Sequence, residues 1–392
     1  MIRSGPKTQH HRLFAFFVFL TVAALNLLPT TPLATAGRDQ PFPPVITLTA
    51  VGDLVMHMPV VNSAFSVAEQ NYNFRPIFQE IRPLLEAADL TVGVLETVLT
   101  TNYQRLSGYP RFHTPAPLAE ALRWAGFDLV FTAHNHSLDQ GVSGVINTLS
   151  ALDAAGLKAT GTRRTVKEKP YSLVEINGLK LAFFSYTTLT NGLSPPRNQK
   201  WALNTFNDYK IAWEILQLRN AGVDGIIMAL HTGEEYQRYP SPGDQQLCKR
   251  LFALGVDIIL GSHVHVIRPL EKVVVKDPFS NHLKTCILAY SLGNFLSNQR
   301  WRYSDCGLML TLRLQKKLLQ PGIEIQLLAC TPLWVAKERN GYRVLRVPPP
   351  EEIETTSLPA SYHQKFQEVW ADTESILLGW PGGLKQLQPP FF

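Results

Sequence analysis

Short apolar runs alternate along this chain with longer segments of helical periodicity, and this alternation limits the folds that the chain can adopt. Eight runs have the length of strands, at residues 45–51, 90–95, 128–133, 180–186, 224–230, 256–261, 285–292 and 307–314. Runs that are apolar throughout are typical of strands buried on both faces. Apolar residues at helical spacing, each series ending in glycine, occur at residues 118–126, 142–156 and 244–255. Alternation of this kind indicates an α/β protein.

The order of the segments changes after about residue 275, where strand-like runs follow one another without a helix between them. This change predicts an antiparallel section. Two sheets packed face to face, with helices outside, would accommodate both halves of the chain. Residues 341–392 are rich in proline and carry one helix-like stretch near 361–377. We therefore expect a main domain at 37–340 and a C-terminal extension at 341–392 that either wraps the domain or is partly mobile.

The first 36 residues have the pattern of an export signal. They contain three basic residues and no acidic one, then an apolar stretch from Leu13 to Leu28, and then Ala34-Thr35-Ala36. We predict a signal peptide at 1–36 and an extracytoplasmic protein, in the periplasm or at the cell surface; an uncleaved N-terminal anchor is the alternative. The chain has a formal charge of +6, of which three charges belong to this segment, so +3 remains. Such a mild charge argues against nucleic acid as a partner.

The four cysteines favour neither a structural zinc site nor a disulfide framework. They are Cys248, Cys286, Cys306 and Cys330, and no two of them form a C-x-x-C pair. We expect buried free thiols. Outside the cytosol, a disulfide between Cys286 and Cys306 is the alternative, because these two cysteines lie on strand-like runs close together in the sequence.

Polar residues follow five of the predicted strands directly. They are Asp53, Glu96, the group His134-Asn135-His136 with Asp139 just after it, His231, and the pair His263 and His265. In open α/β sheets, ligands bind at the carboxyl edge of the strands, where these side chains would meet. If the chain remains extended after residue 261, His263 and His265 point to the same side. Each residue alone has a structural alternative, such as a turn cap for Asp53 or a solvated strand end for Glu96.

These residue types predict a metal site with nitrogen and oxygen donors. Such donors suit divalent Mn, Fe, Zn or Mg. The set is larger than one tetrahedral ion needs, so two ions bridged by Glu96 or Asp53 explain it best. His136 and Asp139 are then the candidate catalytic residues, with His136 as general acid. His57 is a weaker candidate for the site.

Six blocks of sequence occur in one order between about residues 46 and 312: AVGDLVMH (50–57), VLETVLT (94–100), FHTPAPLAEALRWAGFDLVFTAHNHSLDQG (112–141), ALHTGEEY (229–236), GSHVHVIRPLE (261–271) and AYSLGNFLSNQ (289–299). Together they resemble the CapA family of capsule-synthesis and poly-γ-glutamate biosynthesis proteins, within the calcineurin-like metallophosphatase superfamily. The resemblance implies a four-layer α/β/β/α sandwich of metallophosphatase type. It also implies that His136 is the acid and that the metal ligands are Asp53, Glu96, Asn135, His231, His263 and His265.

Two positions depart from the pattern of that family. The superfamily usually begins with Asp-x-His, whereas this chain has Val55 at the third position. Family members tend to read Asn-Asn-His where this chain has His134 before Asn135 and His136. The first departure places phosphoesterase activity in question, and the second adds either a ligand or a hydrogen bond.

The resemblance implies an exported hydrolase-type protein that acts on an anionic cell-surface polymer, or on its precursor, together with membrane-bound capsule synthesis proteins. A non-catalytic accessory protein that binds or guides the polymer is one alternative. A periplasmic phosphodiesterase or nucleotidase is another. Three arginines in the predicted loops, Arg105, Arg111 and Arg268, are candidate contacts for an anionic substrate, although solvent-exposed side chains are the simpler interpretation for each.

Overall fold

The structure is a computed structural model that describes residues 43–318 and 320–384, so the expected export signal lies outside the described residues. The helices in these residues are α1 (Met58–Ser63), α2 (Arg75–Phe78), α3 (Arg82–Glu86), α4 (Pro117–Ala125), α5 (Gly141–Ala154), α6 (Asp208–Asn220), α7 (Pro242–Leu254) and α8 (His363–Leu378). None of the helices in this part of the chain has the length and apolar character that a membrane span requires.

The strands are β1 (Val45–Val55), β2 (Phe65–Ser66), β3 (Asn71–Tyr72), β4 (Leu90–Glu96), β5 (Leu99–Thr100), β6 (Thr114–Pro115), β7 (Leu129–Phe131), β8 (Lys158–Thr160), β9 (Tyr171–Ile176), β10 (Leu179–Thr187), β11 (Gly225–His231), β12 (Ile258–Ser262), β13 (Leu270–Lys276), β14 (Leu283–Ala289), β15 (Asn294–Leu296), β16 (Cys306–Lys316), β17 (Ile323–Glu338) and β18 (Gly341–Arg346). All eight predicted strands are present, and helices α4, α5 and α7 lie where helical spacing was found.

Two large sheets carry the fold. The first has the order β18-β17-β16-β1-β4-β7-β8, with β15 beside β1, and the second has the order β13-β14-β12-β11-β10-β9. Strands β1, β4, β7 and β8 are parallel to one another, as are β10, β11, β12 and β14. The flanking pairs β1–β16, β10–β9 and β14–β13 are antiparallel. The late strands β16, β17 and β18 pair antiparallel, as the change of order after residue 275 predicted.

The two sheets pack face to face, with helices on their outer faces. Phe131 of β7 and Phe183 of β10 meet between the sheets, with ring centroids 6.5 Å apart. Helices α1–α4 bury their apolar faces on the first sheet, and α6 and α7 bury theirs on the second. Burial of each large apolar side chain contributes about 1.5–3 kcal/mol, so the helices are held mainly by this packing. The observed layers confirm the predicted α/β/β/α sandwich.

Local sequence signals explain where helix α7 begins and ends. Ser241 accepts a hydrogen bond from the Asp244 backbone N–H, and the Asp244 carboxylate accepts one from the Ser241 N–H, which is a capping box. Pro242 stands at the first helical position, where no N–H is needed. Gly255 ends the helix in the left-handed region, at φ 111°.

The residues after 340 begin inside the first sheet. Strand β18 pairs with β17 from Gly341 to Arg346, so the boundary expected at 340 falls within a hydrogen-bonded hairpin. The helix-like stretch near 361–377 is helix α8. Its Phe366 packs against Trp334 of β17, with ring centroids 5.9 Å apart.

All four cysteines are free and buried. Cys286 lies on β14 of the second sheet and Cys306 on β16 of the first, and burial raises the pKa of each thiol to about 12. The expectation of buried free thiols is therefore confirmed in this structure.

Candidate metal centre

The predicted site residues lie at the carboxyl ends of adjacent parallel strands from both sheets. In the first sheet, β1 carries Asp53, β4 ends with Glu96, and the segment after β7 carries Asn135 and His136. In the second sheet, β11 ends with His231, and His263 and His265 follow β12. Parallel neighbours bring their carboxyl ends to one edge, which is why residues far apart in sequence meet here.

Asp53 is held by a close approach between strand β1 and the turn before β15. Its backbone N–H donates to the Gly293 carbonyl oxygen at 2.9 Å. A Cβ at the neighbouring Gly52 would lie 1.9 Å from that same oxygen, so this position requires glycine. The Asp53 carboxylate is fully buried, and its Oδ2 accepts the His263 backbone N–H at 3.1 Å.

Glu96 lies at the centre of the site without hydrogen-bond partners. Its carboxyl group is fully buried, and among the described residues neither Oε1 nor Oε2 has a partner. Oε1 lies 3.9 Å from His231 Nε2 and 3.8 Å from His265 Nε2. Burial raises the pKa of Glu96 well above its usual range, against the opposing effect of His265. A buried carboxylate of this kind is costly unless a cation accompanies it.

His263 and His265 do not continue the strand. Strand β12 ends at Ser262, and the two histidines have left-handed φ values of 93° and 60°. The extended geometry expected for this pair is therefore wrong, although both rings reach the site. His263 lies beside His231, with ring centroids 4.8 Å apart, whereas His265 Nδ1 lies 3.4 Å from Asp53 Oδ2.

The donors form two groups that share Glu96. One group is Glu96, His231 and His263; the other is Asp53, Glu96 and His265; within each group the donor atoms lie within 4.8 Å of one another. Asp53 Oδ1 and His263 Nδ1 also lack hydrogen-bond partners among the described residues. Unpaired buried donor atoms of these types, arranged in two triads, fit a pair of divalent cations.

The protonation of the site in the absence of cations follows from its burial. Burial and the neighbouring imidazoles lower the pKa of His231 well below its usual range and that of His263 to about 3, so both rings are neutral and able to act as ligands. Burial also acts to lower the pKa of His265, but the carboxylates of Glu96 and Asp53 outweigh it and raise that pKa to about 9. The pair Glu96 and His265 therefore holds at least one proton at neutral pH.

The segment after β7 adds the Asn135 amide to the first triad and places the His134 imidazole nearby. Asn135 Oδ1 lies 2.9 Å from His231 Nε2. His134 is also buried, with its ring centroid 6.0 Å from that of His231, and its Nδ1 has no partner among the described residues. Its backbone N–H donates to Ser137 Oγ, which fixes the turn. Asn135 thus lies with the donors, while His134 lies outside both triads.

His136 and Asp139 form a hydrogen-bonded pair beside the triads. His136 Nδ1 and Asp139 Oδ2 are 2.8 Å apart, and both side chains are buried. The same oxygen accepts the Phe112 backbone N–H at 2.7 Å, and the Phe112 ring packs edge-on against the His136 ring at 4.6 Å. This arrangement fixes the imidazole so that its Nε2 faces the cavities described below.

Two residues near the site were missed from the sequence, and a third was only a weak candidate. Asn294 Oδ1 lies 3.1 Å from His265 Nδ1, and Asn191 Nδ2 lies 3.4 Å from His136 Nε2. His57, treated as a weak candidate, lines the cavity next to His136, and burial together with His265 lowers its pKa to about 4. Asn294 lies in the block 289–299 that resembles the family, which was its only signal in the sequence; the loop that carries Asn191 gave none.

The three arginines proposed as substrate contacts differ in position. Arg111 lines a cavity at the site. Arg268 is buried, and its guanidinium donates to the Gln237 carbonyl oxygen at 2.7 Å and pairs with Asp244 at 3.2 Å. The suggestion that Arg268 contacts substrate is therefore wrong, because this side chain supports a loop. Arg105 lines neither of the cavities beside His136.

The fold and the site together define an α/β sandwich protein with a buried carboxylate–histidine centre suited to divalent cations. Residues 47–299 match the family model described as bacterial capsule synthesis protein PGA_cap. The match covers more than half of the chain and contains every donor of the two triads. This chain belongs to the PGA_cap family of bacterial capsule synthesis proteins.

Named relatives extend the comparison. The chain is 26% identical over 277 residues to the PGA biosynthesis protein CapA of Bacillus subtilis, covering 69% of this chain and 68% of the relative. It is 28% identical over 273 residues to the capsule biosynthesis protein CapA of Bacillus anthracis, covering 67% and 63%. The calcineurin-like phosphoesterase YfkN of Bacillus subtilis aligns over 84% of this chain and 98% of that chain, at 13% sequence identity and a TM-score of 0.42. That structural score is low, and the family assignment rests on the sequence match.

Proposed function

We propose that this protein is an exported, metal-dependent hydrolase-type member of the PGA_cap family that acts on an anionic cell-surface polymer or its precursor. The polymer class follows from the family, whose relatives are named for capsule and PGA biosynthesis. The observation that carries the hydrolase proposal is Glu96, a buried carboxylate with two unpaired oxygens between two donor triads. Export rests on the sequence of the first 36 residues, and membrane-bound capsule synthesis proteins are the proposed partners.

The positions of the donor residues support a ligand set for two divalent ions. Glu96, His231 and His263 would hold one ion, with Asn135 beside His231. The other ion would be held by Asp53, Glu96 and His265, so Glu96 belongs to both ligand sets. When bound, two such ions supply Lewis-acid polarisation and a water of lowered pKa. Nitrogen and oxygen donors without cysteine are compatible with Mn, Fe, Zn or Mg.

His136 and Asp139 supply the proposed proton transfer. Asp139 Oδ2 accepts from His136 Nδ1 at 2.8 Å, which fixes the orientation of the ring. The Nε2 atom, which lies 3.4 Å from Asn191 Nδ2, would donate a proton to the leaving oxygen of a substrate in the neighbouring cavities. Phe112 packs on the same ring and keeps it from turning away.

The test compares metal content and turnover in matched variants. Wild type is expected to retain two divalent ions per chain by elemental analysis and to hydrolyse bis(4-nitrophenyl) phosphate. Glu96→Gln and the double variant H263A/H265A are expected to lose at least one ion and nearly all turnover. His136→Asn should keep the ions but lose about 10²–10⁴-fold in kcat. Equal metal content in wild type and Glu96→Gln would refute the ligand assignment.

A second candidate is a non-catalytic accessory protein that binds or guides the polymer. The favouring observation is Val55, an apolar side chain in the cavity wall at the position where the superfamily usually has a histidine. Full metal content, no turnover of small phosphate esters and retained polymer binding would support this candidate. Efficient turnover of nucleotides or other small esters, lost in His136→Ala, would instead favour a phosphodiesterase or nucleotidase.

A further inference from the structure

Two cavities of different character adjoin the metal centre. The first has a volume of about 220 Å³ and a wall rich in aromatic rings. The second has a volume of about 210 Å³ and a more polar wall. His136, Tyr109 and Glu235 line both. A substrate with its reacting bond at His136 would therefore extend into both spaces.

The aromatic cavity offers flat apolar surfaces. Its wall includes Tyr109, Phe112, Tyr236 and Trp301, and the rings of Tyr236 and Trp301 meet edge to face at 5.1 Å. Tyr236 is held in place because its hydroxyl accepts a hydrogen bond from Gln299 at 3.2 Å. Rings arranged in this way suit an aromatic or sugar ring more than an extended chain.

The polar cavity contains Arg111, the one arginine or lysine that lines either of the two cavities within the described residues. Its side chain is exposed, and within that part of the chain it makes no ion pair. The amides of Asn135 and Asn191 line the same cavity, with Asn135 Nδ2 donating to Asn191 Oδ1 at 3.3 Å. Two carboxylates also line this cavity: that of Asp139, which is paired with His136, and that of the exposed Glu235. A guanidinium beside side-chain amides suits an anion that approaches on the side of Arg111.

The segment that carries Arg111 is tied to the catalytic pair. Ser107 and His113 form a β-bridge at its base, and Ser107 Oγ donates to the Arg111 carbonyl oxygen. The backbone N–H of Phe112, the residue after Arg111, donates to Asp139 Oδ2 at 2.7 Å. The Arg111 backbone is thus fixed relative to His136, which an anion subsite requires.

We propose that the substrate has two parts: a ring that occupies the aromatic cavity, and a carboxylate that pairs with Arg111 in the polar cavity, with a phosphate ester between them. This inference rests on the proposed function and adds its substrate class. In the hydrolysis, the oxygen of a water molecule forms a new bond to phosphorus and its proton passes to solvent. The bond from phosphorus to the leaving oxygen breaks, and that oxygen takes a proton from His136.

Binding of non-hydrolysable ligands tests the carboxylate part without any need for turnover. The probes are 3-carboxypropyl phenylphosphonate and butyl phenylphosphonate, which differ only in the distal carboxylate, measured by calorimetry on the metal-loaded protein. Wild type is expected to bind the carboxylate probe about tenfold more tightly. Arg111→Gln should abolish this ratio and Arg111→Lys should restore part of it. Arg105→Gln is the matched control and should keep the wild-type ratio, because Arg105 lines neither cavity.

A second pair of probes tests whether a ring occupies the aromatic cavity. Trp301→Ala should reduce the preference for butyl phenylphosphonate over butyl methylphosphonate by at least about fivefold. Trp213→Ala, on helix α6 and outside both cavities, should leave that preference unchanged.

The outcomes separate this inference from the proposed function. Equal affinity of wild type for the carboxylate and butyl probes, or an unchanged ratio in Arg111→Gln, would overturn the anion subsite even if the protein hydrolyses phosphate esters. Conversely, an Arg111-dependent ratio in a protein that turns over no ester would support the subsite and refute the hydrolase.

Discussion

At the scale of single residues, the cluster around Glu96 shows how burial and charge prepare a site for cations. The carboxylates of Glu96 and Asp53 raise the pKa of His265 although burial lowers it. His263 is neutral, with a pKa lowered to about 3 by burial and by His265. His231 and His263 are therefore ready to act as ligands at neutral pH, whereas His265 must first release a proton.

Metal affinity is accordingly expected to rise with pH. His265 has a pKa of about 9, so below that pH its ring is protonated and an ion must displace the proton. One displaced proton strengthens the apparent affinity by up to about tenfold for each pH unit between 6 and 9. Competition with a chelator at several pH values measures this dependence. Affinity that is flat over that range would contradict the assignment of His265 as a ligand.

Sequence reasoning at this scale found the donors that follow strands and missed those that depend on loops. Asp53, Glu96 and His231 lie within or at the end of strands, so their meeting at one edge was predictable from the apolar runs. Asn191 reaches His136 from a loop in which it has a left-handed φ of 49°. No periodicity predicts such a backbone, because it is set by contacts between distant segments.

At the scale of structural elements, the site depends on strands approaching one another more closely than side chains permit. At Gly52 of strand β1, a Cβ would lie only 1.9 Å from the carbonyl oxygen of Gly293 in the neighbouring turn. Strand β12 meets the Tyr290 carbonyl oxygen through Gly261, where a Cβ would lie only 2.1 Å away. These contacts set the positions of Asp53 and of the histidines after β12.

Gly52→Ala is therefore expected to destabilise the fold by about 3 kcal/mol and to lower metal content, because its Cβ would overlap the Gly293 backbone. Urea unfolding measures the first effect and elemental analysis the second. The matched control is Gly243→Ala in the first turn of α7, where the nearest atom to a new Cβ is Ser241 Oγ at 3.5 Å. That change should leave stability within about 1 kcal/mol of wild type. Similar losses in both variants would show that the close approach is not the cause.

Helix α8 holds two loops that line the aromatic cavity. The Asp372 carboxylate accepts hydrogen bonds from Arg302 at 3.0 and 2.7 Å, and its backbone carbonyl oxygen accepts one from Arg238 at 2.6 Å. Trp301 is the neighbour of Arg302, and Tyr236 lies two residues before Arg238. The C-terminal helix thus acts on the cavity through these two loops.

Asp372→Ala is expected to loosen these loops without altering the metal centre. Hydrogen exchange at residues 236–240 and 299–303 should become at least about twofold faster, while metal content stays at the wild-type value. Glu374→Ala, an exposed position on the same helix, serves as the control. Unchanged hydrogen exchange in Asp372→Ala would show that helix α8 does not hold these two loops.

The strands that the sequence predicted share one property, a run of apolar residues buried on both faces. Strand β4 is buried at all seven positions, and β11 is as well. Strand β18 falls in the segment that was expected to be an extension because of its proline content, and its sequence GYRVLR mixes polar with apolar residues. It is a strand because β17 offers it a hydrogen-bonding edge, which is information that the local sequence does not contain.

At the scale of the whole molecule, the C-terminal segment completes the sandwich. Strand β18 buries Val344 and Leu345, and helix α8 buries Phe366, Ile376 and Leu377. At about 2 kcal/mol for each large apolar side chain, their loss would remove a large part of a typical stability of about 5–15 kcal/mol.

A chain that ends at residue 340 is accordingly expected to be insoluble or to lack a cooperative unfolding transition, because the edge of β17 and its apolar face would be exposed. A chain that ends at residue 384 keeps every described residue and should unfold cooperatively. Circular dichroism during thermal unfolding distinguishes the two. Cooperative unfolding of the shorter chain would mean that residues 341–384 are dispensable for the fold.

The division of the donors between the two sheets has a consequence for how the protein matures. Asp53 and Glu96 belong to the first sheet, and His231, His263 and His265 belong to the second. Neither triad is complete until translation has passed residue 263, so no nascent chain shorter than that can acquire either ion as proposed here. Under the proposed ligand assignment, metal loading would follow the synthesis of residues 263 and 265 and the docking of the two sheets.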